Sequence, residues 1–421
     1  MINIPKPGPL FNPLTSSEPL SVPELLAGPF GLIVFLPLIP VVLLLARRYP
    51  RAALLVGGLA WLLPTLRPLT TGVLLASLGV AIAWILALGA LRRRERIGRG
   101  AMIALVWLGI VGLASPLWWY GQQSWYPSRL AALHNVGFAY FLLRLIAWGV
   151  DLAKSPQVPA RLIDTVCWLL YPPCMRLGPV LLRDEFLERF DAWDVRRSPA
   201  WFEGTQRLGL FFLGVVGLAF VGRHVPIPLP GGGDVFSQPE AYPTARLVRA
   251  FYLVPIQIYL ILWTYNELAM TLSLWVGIRV DNNFDWLPRA TSVRDFWRRW
   301  HVTVGKWLRN YIYIPLGGNR RNVYLNTFAV FGFCAIWHGA SWSFLAWGAS
   351  QALALGVQRL WDQLRARWGW QGRPSGPLWT AVCWLLTMHY QIATIVVFAD
   401  FDHLGVRLGR ELLGRLVQVG G

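Results

Sequence analysis

Charge is what this chain has least of. Only 14% of its 421 residues are Asp, Glu, Lys or Arg, against about a quarter in an ordinary soluble domain. From Val323 to Val357 there is none at all. Such a chain has too little polar surface for a large soluble core, and a polytopic membrane protein is expected instead. Acid is scarcer than base: 21 Asp and Glu stand against 39 Lys and Arg, for a net charge of +18. In a soluble protein that balance would suggest nucleic acid. Here no sizeable stretch outside the apolar runs could form a soluble binding domain, so no nucleic-acid partner is expected. The basic residues gather between apolar runs, as the positive-inside rule requires, and the 24 tryptophans suit interfacial belts. The basic loops would also hold membrane lipids by their anionic headgroups.

Other absences narrow the chemistry. The four cysteines, Cys167, Cys174, Cys334 and Cys383, form no C-x-x-C pair and lie in apolar surroundings. A disulfide framework or zinc site has no support, and small buried side chains are expected. There is no P-loop, no GxGxxG after a strand, no G-x-S-x-G and no H-E-x-x-H. No metal and no bound cofactor are expected. The Gly231-Gly232-Gly233 run sits among prolines and reads as an exposed turn. No internal repeat or Gly/Ser linker divides the chain. No basic segment precedes the first apolar run, so residues 1–23 read as an exposed tail, not a cleaved signal.

What is present is a series of apolar runs: 24–46, 52–66, 70–91, 101–120, 131–153, 162–182, 206–222, 248–278, 323–357 and 378–398. At about 20 residues per crossing they make ten or eleven membrane segments. The expected fold is an all-α polytopic bundle with interfacial amphipathic helices. Placing Arg47, Arg48, Arg51 and the cluster at 92–99 in the cytoplasm puts the N-terminus outside. Residues 162–182 carry Pro172-Pro173 and Gly178-Pro179, which implies a broken helix. Residues 183–201 are too charged to span, and Phe186, Phe190 and Trp193 share one face. A polar loop is expected at 359–377.

Everything else is arranged around residues 292–348. Ser292 to Asp295 resembles a capping box and marks a helix start. Residues 293–314 then read as one amphipathic helix with Phe296, Trp300, Val304, Trp307, Leu308 and Tyr311 on its apolar face. His301 sits at the edge of that face, with Trp297 four residues before it and Gly305, a gap, four after. Pro315 ends the helix and LGGN forms a turn. The uncharged run from Val323 is too long for one span and suits a hairpin with His338 near its middle. An ionisable side chain there is costly, which makes it a candidate functional residue. A neutral imidazole can take and return a proton near neutral pH. That suits acyl transfer from a thioester to a hydroxyl, and it equally suits a proton-coupled transporter. The residues alone leave both open, although the paired broken helices common in transporters are not seen.

DFWRRWHVTVGKWLRNYIYIPLGGNR (295–320), followed by FGFCAIWHGASWSFLAWG (331–348), resembles the signature of the membrane-bound O-acyltransferase family. The resemblance is to the bacterial branch of alginate O-acetylases and teichoic-acid D-alanyl transferases. Weaker likeness covers MRLGPVLLRDEF (175–186) and VVFADFDHLG (396–405). It implies an integral-membrane O-acyltransferase with a central tunnel, in the inner (plasma) membrane. The donor would be a cytoplasmic acyl-CoA or acyl-carrier thioester, and the short acyl group, acetyl, would pass to a hydroxyl of an exported glycan or relay protein. An extracytoplasmic acyltransferase partner is implied too. The family's histidine falls on His338, which would be the general base, and its second polar position on His301. Candidate substrate contacts are Trp297, Arg298, Arg299, Asn310, Tyr311, Glu267 and Trp337. Arg298 and Arg299 would hold either donor phosphates or lipid headgroups. The chain then divides into the tail at 1–23, membrane spans at 24–125, an acyltransferase core at 126–400 and an amphipathic tail at 401–421.

Overall fold

A computed structural model describes residues 36–65, 68–119, 138–155, 161–175, 177–224, 235–236, 238–338, 342–369, 376–399 and 406–419. The expected tail at 1–23 and the Gly231-Gly232-Gly233 turn lie outside these. Among the described residues every regular element is helical. Four helices are long and apolar enough to cross a membrane: Leu74–Arg93, Trp201–His224, Thr244–Val276 and Pro377–Ala399. Leu36–Ala46, Pro50–Ala60, Arg99–Leu113 and Val323–His338 are apolar but shorter. The chain forms two compact units.

One unit comprises Val22–Val215 and Leu262–Asn282. Its helices are α1 (Ile39–Ala46), α2 (Pro50–Thr65), α3 (Pro68–Arg93), α4 (Arg99–Trp119), α5 (Phe138–Lys154), α6 (Leu162–Leu169) and α7 (Arg183–Asp191), with the start of α8 (Trp201–His224) and the end of α9 (Thr244–Val276). The expected break after residue 162 is there. Helix α6 ends at Leu169 and a single 3-10 turn, Pro172–Cys174, follows. The carbonyls of Trp168 and Leu169 at that break accept from the guanidinium of Arg144, which is fully buried on α5 and stacks over the Trp168 ring. A cation on the orphaned carbonyls of a helix end is the favourable arrangement. Phe186 and Phe190 share one face of α7 as expected, and both are buried and stack on each other. Trp193 lies past the end of that helix but still meets Phe190.

The other unit includes Val216–Ile261 and Asn283–Gly421. Here residues 292–314 depart from the single helix expected. They form α10 (Val293–Arg299), α11 (Val302–Leu308) and a π turn, Arg309–Tyr313. Ser292 caps α10 by accepting from the Asp295 backbone N–H at 3.1 Å, as the capping box requires. The chain then breaks at Trp300-His301, where His301 takes φ 46° and ψ 51°. The run before the helices causes the break. Asn283 O accepts from Val302 N, Asp285 N donates to Arg299 O, and the Asn283 side chain accepts from Thr303 N. Backbone groups that a continuous helix would satisfy find partners in this segment instead.

The expected hairpin is formed by α12 (Val323–His338) and α13 (Trp342–Arg367). Its turn, 339–341, lies outside the described residues. The helices approach closely at Gly348, where a Cβ would stand 2.7 Å from the carbonyl oxygen of Phe331. Helix α13 runs on to Arg367, through half of the polar loop expected at 359–377. Its polar end has partners: Arg294 pairs with Asp362 at 2.8 Å and Tyr324 donates to Gln363. Helix α14 (Pro377–Ala399) packs on α13, and α15 (Val406–Val419) buries Leu408 and pairs Arg415 with Glu411. The Gly317-Gly318 turn has φ values of 107° and 53°, which only glycine adopts freely, and Asn326 on α12 donates to Gly318 O.

Candidate active site

His338 is the last residue of α12, held half-buried at the hairpin turn. Aromatic rings surround it. Trp337 lies 4.8 Å away between centroids, Phe398 of α14 4.9 Å, and Phe344 and Trp347 of α13 both 5.7 Å. The rings are there because α12, α13 and α14 pack together in sequence. His301, half-buried at the break between α10 and α11, meets Phe284 at 5.1 Å and Trp300 at 5.5 Å. From His301 a run of rings leads through Trp300 and Phe296 to Trp297. A chain of rings thus links the helices of the two histidines. Trp297 of α10 contacts Trp347 at 5.9 Å, and Trp347 contacts His338. Burial pushes the His301 imidazole down to about 4, so it is neutral at physiological pH.

A buried polar cluster fixes this wall. Trp297 Nε1 donates to Gln351 Oε1 at 3.0 Å, Gln351 and Gln391 exchange amide bonds at 3.3 Å, and Gln351 also donates to Thr394 at 2.9 Å. The glutamines are almost wholly buried. In apolar surroundings such groups must pair, which locks α10, α13 and α14 in register.

The other candidates separate. Trp297 and Trp337 lie in the aromatic wall. Tyr311 is buried against Trp307, and Asn310 is half-buried in the π turn. Arg298 is exposed and pairs with Asp295, while Arg299 pairs with Asp285 and Asp295. Glu267 belongs to the other unit. It is 1% exposed and pairs with Arg207 at 3.0 Å. Sequence reasoning missed Asn283, Phe284, Trp347, Phe398 and Gln351, which touch the histidines or their neighbours. None has a local periodic signal. The cysteines are free, three of them buried and Cys383 half-buried. Among the described residues no group of three His, Cys, Asp or Glu could hold a metal ion.

One run of aromatic rings joins His301 at a helix break to His338 at the end of α12. Both histidines lie within the part of the chain that shows its kinship. Residues 119–399 match MBOAT, the membrane-bound O-acyltransferase family. The chain belongs to that family. Among similar proteins, the probable alginate O-acetylase AlgI of Pseudomonas putida is 30% identical over 233 residues, covering 53% of this chain and 45% of the relative. The peptidoglycan O-acetyltransferase of Helicobacter pylori is 40% identical over 109 residues, 25% of this chain and 21% of the relative. The membrane-bound O-acyltransferase GUP1 of Saccharomyces cerevisiae is 48% identical over 69 residues, 16% and 11% respectively. The chain spans about half the length of the alginate relatives it matches. Membership agrees with the apolar helices: this MBOAT chain is a membrane protein.

Proposed function

We propose that this chain is an O-acyltransferase that moves an acetyl group from a thioester to a hydroxyl, with His338 as general base. The observation that carries the reading is the run of aromatic rings that joins His301 to His338 in an MBOAT chain. The neutral imidazole of His338 takes the proton of the acceptor hydroxyl. The oxygen forms a C–O bond to the thioester carbonyl as the C–S bond breaks, and the thiolate leaves with the proton that the imidazole returns. Surrounding rings exclude water, which would otherwise hydrolyse the donor.

The finer expectations follow from this reading. The donor is an acyl-CoA or acyl-carrier thioester reached from the cytoplasm. Supporting this, the basic residues Lys306, Arg309, Arg320 and Arg321 lie between the helix break and the start of α12. Helix α12 has 16 residues and rises about 24 Å, less than the ~30 Å of hydrocarbon. Entering from the basic side, it would stop short of the other face and leave His338 where a donor from one side and an acceptor from the other can meet. The acceptor is a hydroxyl of an exported glycan or of a relay protein, supported by the alginate and peptidoglycan relatives. An extracytoplasmic acyltransferase is the partner that would finish the relay. Ten or eleven membrane segments in the inner membrane, an extracytoplasmic N-terminus, a catalytic core at 126–400 and a tunnel past the histidines complete the proposal.

The test uses membrane vesicles from cells expressing the full chain, supplied with radiolabelled acetyl-CoA. Label should enter the glycan or protein fraction, and His338→Ala should abolish this while the protein remains in the membrane. Undiminished transfer by that variant sinks the mechanism. Movement of a solute across liposomes holding the chain, without any acyl donor, would favour transport instead.

A further inference from the structure

Asn283 is wholly buried and makes four bonds at the helix break. Its carbonyl accepts from Val302 N at 3.0 Å. Its side-chain oxygen accepts from Thr303 N at 3.1 Å and from Thr303 Oγ1 at 2.8 Å. Its side-chain nitrogen faces His301 Nδ1 at 3.1 Å. The orientation of the amide follows from chemistry. A backbone N–H can only donate, so the atom facing Thr303 N must be the oxygen. The NH2 group therefore faces His301 and donates to Nδ1. A neutral imidazole that accepts at Nδ1 carries its proton on Nε2.

We propose that Asn283 is a positioning residue that fixes His301 as a hydrogen-bond donor through Nε2, aimed at the thioester carbonyl oxygen. The inference rests on the acyl-transfer reading of the site. It divides the work of the two histidines. His338 accepts the hydroxyl proton, and His301 donates to the oxygen that gains negative charge when the carbonyl is attacked. A donor placed before the reaction acts without reorganising, and removing one such donor typically costs 10²–10³-fold in turnover. Asn283 also holds the left-handed backbone of His301, because its bonds to Val302 and Thr303 satisfy the groups on the far side of the kink.

Asn283→Asp is the deciding variant. It keeps the size and the oxygen facing Thr303, but it turns the atom facing Nδ1 into an acceptor. The His301 proton should move to Nδ1, leaving Nε2 without its hydrogen. The first readout is nitrogen NMR of the full chain in detergent with labelled histidine. The chain has only six histidines, so a His301→Gln spectrum assigns the signal. Wild type should show Nε2 protonated and Nδ1 bare, and Asn283→Asp should show Nδ1 protonated. Thr303→Val, which leaves the backbone donor in place, should keep the wild-type pattern. The second readout is transfer from radiolabelled acetyl-CoA in vesicles. Asn283→Asp should lower turnover about 10²-fold with little change in KM for the thioester. A wild-type His301 protonated at Nδ1, or a pattern unmoved in Asn283→Asp, overturns the role of Asn283. Full transfer by His301→Gln overturns the acyl-transfer reading of His301 instead, whatever the spectrum shows.

Discussion

Replacing Gly348 by Ala should harm this protein more than the size of a methyl group suggests. The new Cβ would stand 2.7 Å from the carbonyl oxygen of Phe331 and 3.3 Å from its carbon. Carbon–oxygen contacts settle no closer than about 3.3 Å, so α12 and α13 must part by roughly 0.6 Å. The obstacle is backbone, and no flexible side chain can swing aside. Overpacking of this kind costs about 1–3 kcal/mol. The damage also falls beside the proposed catalytic histidine. Trp347 precedes Gly348, and Phe344 lies one turn before it; both rings contact His338. Since a misplacement of about 1 Å can cost 10²-fold in rate, a loss of about 10-fold or more in transfer is expected. Gly332→Ala is the matched control. It lies on α12 of the same hairpin, and its Cβ would meet nothing within 4 Å. There the change should be neutral or should stabilise by up to about 1 kcal/mol, the usual helix preference of Ala over Gly. Thermal unfolding in detergent and acetyl transfer in vesicles measure both. Equal behaviour of the two variants, in either assay, would refute close packing at Gly348 as the feature that seats His338.

Two further outcomes follow from the buried polar groups. Gln351→Leu removes the bonds to Trp297, Gln391 and Thr394; at about 0.6–1 kcal/mol for each interhelical bond it should cost about 2–3 kcal/mol, read as a lowered unfolding temperature, and unchanged stability would show that the cluster does not hold the helices. The His301 imidazole is held down to about 4 by burial, against about 6.5 in the unfolded chain, so the unfolded state binds the extra proton. Its contribution to stability is full above about pH 6.5 and is lost as pH falls toward 4. His301→Gln should flatten that part of the acid-unfolding profile, and a profile identical to wild type would refute the assignment.

Much of this architecture is decided locally, and local signals are readable. The apolar run from Val323 folds into a hairpin because no charge interrupts it and Trp337-His338 falls near its middle. The Ser292 cap, the break at Pro172-Pro173 and the Gly317-Gly318 turn each depend on a few adjacent residues whose own chemistry permits little else. The family likeness is carried by the same stretches. The polar loop expected after residue 358 shows the limit of local reading. Its polar, Arg-containing composition predicts a loop, yet α13 continues to Arg367, with Arg294 and Tyr324 from other helices meeting Asp362 and Gln363.

Composition and hydropathy are enough to mark a helical membrane chain with two histidines in costly positions. The surroundings of those histidines come from tertiary packing. Helical periodicity runs through Trp300 and His301 without a gap, and the backbone turns there on bonds to Asn283 and Asp285, far earlier in the chain. The rings around His338 come from residues as distant as Phe398, and Glu267 becomes an ion pair only when folding brings Arg207 beside it. Such contacts leave no local pattern, because a hydrogen bond or ring contact depends on distance in space, and separation along the chain does not constrain it.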